Sequence, residues 1–70
     1  MTYETVEAWL KVEENRKLFK PYNAKPNQQQ LREIFEVAAF LDPKGNHKLS
    51  GCGRCVYNAL RAIERHLNIF

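Results

Sequence analysis

Two cysteines stand three residues apart in Leu49-Ser50-Gly51-Cys52-Gly53-Arg54-Cys55, and the stretch runs straight into an apolar-striped segment. At a helix start the backbone N–H groups lack intrahelical partners and the dipole favours an anion, so a thiol there is biased towards thiolate. Thiolates bind metals or exchange disulfides, and each chemistry asks for further residues. Zinc takes four ligands in a tetrahedron. His47, Cys52 and Cys55 supply three on one loop-to-helix corner, which leaves the fourth to Asp42, a second subunit or a partner. His66 lies eleven residues beyond Cys55, about 16 Å along a helix and too far for the same ion. Thiol–disulfide enzymes place Cys-x-x-Cys after a strand in a βαβ unit, and no such unit is legible here. The plain alternative is that Gly51 and Gly53 permit a tight turn while Cys52 and Cys55 serve as small core residues.

A second set of residues follows at helical spacing. Arg54, Asn58, Arg61 and Arg65 form one stripe, with Lys44 and Lys48 before it and Tyr57 beside it. Such a stripe either lies along nucleic-acid phosphates or is simply a solvated helix face. The sequence holds no carboxylate pair, serine nucleophile or glycine-rich phosphate loop with credible partners. It therefore predicts a protein that is not an enzyme and takes no small-molecule substrate.

Three helices must position these residues. Thr2 caps a first helix over about residues 3–18, with Tyr3, Val6, Trp9, Leu10 and Val12 at helical spacing. Pro21 and Pro26 then forbid a continuous helix. Asn27 caps a second helix over about 27–41, striped by Leu31, Ile34, Phe35, Ala38 and Leu41 and widened by Val37 and Phe40. Asp42-Pro43-Lys44-Gly45 reads as a type I turn. A third helix over about 52–68 gathers Cys52, Val56, Ala59, Leu60, Ile63, Leu67 and Phe70 on its apolar face. No alternating strand pattern interrupts this, so the expected fold is all-α, a small three-helix bundle forming a single domain over residues 1–70.

Composition bounds the rest. A chain of 70 residues buries only roughly 60% of the surface its unfolded form exposes, so its core is marginal and assembly with partners is expected. Two cysteines are too few for a disulfide framework. Glu4 and Glu7 flank the start with no basic segment and no long apolar run, so neither a signal peptide nor a membrane span is expected. An intracellular, reducing setting follows. The net charge of +3 is blocked along the chain: acidic over 1–15, basic over 16–26, acidic over 27–42 and basic over 43–70.

Trp9 and the apolar run Leu67-Asn68-Ile69-Phe70 are candidate partner contacts, because buried tryptophans anchor interfaces and water penalises an uncovered apolar end. A protein partner or a homo-oligomer is expected. Trp9 with Tyr3 and Val6 equally suits a core.

Two family resemblances attach to the cysteine corner. Gly51-Cys52-Gly53-Arg54-Cys55-Val56 resembles the metal-binding corner of heavy-metal-associated copper chaperone domains. Those domains need strands on both sides of the helix and cysteines near the chain start, which this sequence does not offer. The other resemblance runs over roughly residues 27–67. Gln30-Leu31-Arg32-Glu33-Ile34-Phe35, a Gly- and Lys-bearing turn, and Cys52-Gly53-Arg54-Cys55-Val56 opening a terminal helix resemble short tailed-bacteriophage proteins with Cys-x-x-Cys before their last helix. That resemblance implies a virion or phage-assembly component, in the host cytoplasm or the particle.

Overall fold

A computed structural model describes residues 1–19, 26–49 and 51–68. The described residues hold helices and no strand: α1 (Tyr3–Lys11), α2 (Glu13–Arg16), α3 (Gln28–Leu41), a 3-10 turn (Pro43–Gly45) and α4 (Gly53–Leu67). The fold is all-α.

The first expected helix is broken. Thr2 caps it as anticipated, its hydroxyl accepting from the Thr5 N–H at 3.2 Å. At Val12 the backbone leaves the helix for an extended conformation (φ −73°, ψ 121°), and α2 starts again at Glu13. Asn15 holds the break. Its side chain is buried and its Nδ2 donates to the Trp9 carbonyl at 2.9 Å, occupying an acceptor at the end of α1. The kink moves Val12 out to solvent, 46% exposed, and brings Leu18 and Phe19 into the core instead.

The second expected helix forms as read. The Asn27 side chain accepts from the Gln30 N–H at 2.7 Å and the Gln30 side chain accepts from the Asn27 N–H at 3.0 Å, a reciprocal capping box. Ile34, Phe35, Val37, Ala38 and Leu41 are buried, so this helix supplies the middle of the core. Ala59, Leu60, Ala62 and Ile63 of α4 pack against it. Cys52, expected on that apolar face, is exposed because it precedes the first helical turn.

The direction of α4 is the main topological result. Its C-terminal end meets the C-terminal end of α3, where His66 lies 3.7 Å from Asp42. At the opposite end Gln28 and Leu31 of α3 share a cleft with Leu49 and Gly51, just before α4. The two helices therefore run the same way, and the connection travels back along them.

Candidate functional site

The cysteine corner sits where the sequence placed it. Cys52 is the N-cap residue of α4 (φ −71°, ψ 123°). Cys55, in the first turn, is half-buried against the core. The two residues approach to 3.2 Å and both are thiols. Hydrogen bonding from the Cys55 backbone, then from its side chain and the Arg54 backbone, holds the Cys52 thiol below the usual range; the Arg54 charge adds to this and partial burial opposes it.

His47 does not join them as a ligand set. Its Nε2 donates to Asp42 Oδ2 at 3.1 Å. A carboxylate can only accept, which fixes the imidazole proton on that nitrogen. His47 and Cys55 border one cleft with Phe35 and Asn58, while Cys52 stands outside it. Among the described residues no three donors from His, Cys, Asp and Glu come together as a metal-holding group. Zinc at His47, Cys52 and Cys55 thus gains no support from this geometry.

What the fold assembles instead is a carboxylate between two imidazoles. Asp42 Oδ1 faces His66 Nε2 at 3.7 Å while Oδ2 holds His47. The Asp42 carboxyl is kept below the ordinary carboxylate range, chiefly by the His47 hydrogen bond; burial opposes this as the next-largest influence, and the electrostatic attraction of His47, His66 and Arg65 adds smaller contributions in the lowering direction. Gly45 is fitted to this arrangement: a Cβ there would run into Asp42 Oδ2 and His47 Nε2. Sequence reading put Asp42 in a turn and treated His66 as too far from the cysteines. It missed that both lie at the same end of the molecule, because it carried no expectation for helix direction.

The arginine stripe is realised as a surface. Arg54, Asn58, Arg61 and Arg65 are all exposed along α4. Asn58, Arg61 and Arg65 form one wall of a cleft closed by Asp42, Gly45 and His47. Arg61 Nη1 donates to the Tyr57 hydroxyl at 2.9 Å, and its guanidinium carbon lies 5.7 Å from the Tyr57 ring centroid. Tyr57 itself is 40% exposed.

The candidate partner contacts divide. Trp9 is a core residue, packed edge-on against Phe19 at 6.0 Å with its indole N–H donating to Glu33 at 3.2 Å. A partner meets it only if the fold opens. Leu67 is half-buried against the core, and Ile69 and Phe70 lie outside the described residues. The large apolar residues at the surface are others. Tyr3 is 63% and Leu49 58% exposed. Leu49 was detectable in principle: it is a lone leucine inside the polar run Asn46–Ser50.

No family model, curated protein or solved structure matches this chain. The site has to be read from its own chemistry. No described helix is long and apolar enough to cross a membrane.

Proposed function

We propose that this chain is a small non-enzymatic interaction subunit, a virion or assembly accessory protein of the short tailed-phage type. Its fold is then a three-helix bundle in which α1 and α2 form one bent arm against α3 and α4. Leu49 carries the reading. This exposed leucine lines three clefts, which together are bordered by Leu31, Arg32, Phe35 and Ala39 of α3 and by Cys55 of α4. Leu49 is 58% exposed, so covering the rest of it gains roughly 1–2 kcal/mol. The partner is a protein with an apolar side chain to offer, either another particle component or a second copy. In that role the protein works in the host cytoplasm during assembly or within the particle.

A photo-crosslinking residue substituted at Leu49 tests the docking surface. The expected result is a single crosslinked species containing a particle protein or a second copy, and its loss in Leu49→Asp with the helical circular dichroism unchanged. A Leu49→Asp protein that assembles like the parent removes this surface. Mass spectrometry of purified particles and assembly intermediates tests the biological setting, and absence from both removes it.

A further inference from the structure

The net charge of residues 42–70 equals that of the whole chain. Over residues 1–41 six lysines and arginines are balanced by six glutamates. Residues 42–70, the returning connection and α4, carry Lys44, Lys48, Arg54, Arg61 and Arg65 against only Asp42 and Glu64, which accounts for the whole +3. Of those two acids, Asp42 is occupied by His47 and His66, and Glu64 is half-buried.

We propose that the outer face of α4 binds single-stranded nucleic acid. Arg54, Asn58, Arg61 and Arg65 run for about 16 Å along the helix, a length that about five nucleotides cover. Arginine is suited to this because its planar fork of donors matches phosphate oxygens. Asn58 stands in the same row and adds neutral donors for sugar or base edges. Tyr57 decides for a single strand. Its half-open ring lies beside the Arg61 guanidinium, and an aromatic face next to a cation offers stacking that unpaired bases accept and a duplex conceals. Asn58 borders one of the Leu49 clefts, whereas Arg54, Tyr57, Arg61 and Arg65 line none of them, so variants at Tyr57, Arg61 and Arg65 test this surface apart from the protein-docking reading.

The test is fluorescence anisotropy of labelled (dT)20 and a 20-base-pair duplex with the full chain, at 25 and 150 mM salt. Binding to (dT)20 is expected, tighter than to the duplex. Two to three phosphate contacts predict affinity falling about ten- to forty-fold between those salts. Arg61→Gln with Arg65→Gln is expected to weaken binding at least ten-fold and flatten the salt dependence. The corresponding double lysine variant keeps the charge and the salt slope, which separates phosphate contact from a loss of fold. Tyr57→Ala is expected to weaken (dT)20 binding about five-fold or more, with little change for the duplex. Lys11→Gln with Arg16→Gln, in the charge-balanced residues 1–41, is expected to bind like the parent. No binding at 25 mM salt, or a double glutamine variant that binds like the parent, overturns the proposal. Equal affinity for strand and duplex overturns its single-stranded character.

Discussion

His66 Nε2 stands 3.7 Å from one carboxylate oxygen of Asp42, whose other oxygen accepts from His47 at 3.1 Å. The three residues come from the end of α3, the returning connection and the last turn of α4. Because α3 and α4 run the same way, their carbonyl-rich ends lie side by side, and an acid there adds further negative charge. His66 and Arg65 in the last turn of α4, with His47 across the cleft, oppose it.

This arrangement gives stability a defined pH dependence. The folded carboxyl of Asp42 titrates below its unfolded value, so its contribution is present above the unfolded carboxylate pKa of about 4 and is lost as pH falls through the folded value. Melting temperatures from pH 7 to pH 3 should therefore show Asp42→Asn less stable than the parent near pH 6, with the gap closing below pH 4. A constant gap across that range contradicts the linkage.

Gly45 and Gly53 should respond to alanine in opposite directions. At Gly45 the new methyl displaces Asp42 and His47, whereas nothing lies within 4 Å of one at Gly53. Gly53 opens α4, so alanine there gains helix propensity of up to about 1 kcal/mol. Urea unfolding should rank Gly53→Ala above the parent and Gly45→Ala below it.

Ile63 of α4 is fully buried against α3. Ile63→Ala removes buried methyl groups and leaves a cavity, at a cost of about 2–5 kcal/mol. A domain of this size has roughly 4–10 kcal/mol in total, so a large shift in the urea midpoint is expected, near the limit of folding.

Asn15→Ala should cost about 1–2 kcal/mol, because the Trp9 carbonyl then keeps only the longer 3.4 Å bond from the Val12 N–H. The same urea series measures it. An unchanged midpoint means that Asn15 does not hold the break between α1 and α2.

The two thiols should differ in reactivity. Cys52 is exposed and held towards thiolate, while Cys55 is half-buried. Timed alkylation with iodoacetamide near neutral pH, read by mass spectrometry of the digest, should modify Cys52 first. Arg54→Gln should slow it modestly. Faster labelling of Cys55 contradicts the geometry.

Local sequence determined the parts that local interactions hold. Asn27 and Gln30 cap each other across three residues, the Asp42–Gly45 turn closes through a 3.1 Å bond from the Gly45 N–H to the Asp42 carbonyl, and the stripes of α3 and α4 repeat at helical period. These spacings needed no knowledge of the rest of the chain. The break at Val12 was hidden, because its support comes from the buried side chain of Asn15 and from Leu18 and Phe19 packing inward. The shared direction of α3 and α4 was hidden too, since stripes fix which face is buried but not which way a helix points. Only packing made the choice. That choice placed Asp42 between His47 and His66, moved Trp9 inside, and left Leu49 and the arginines of α4 facing outward.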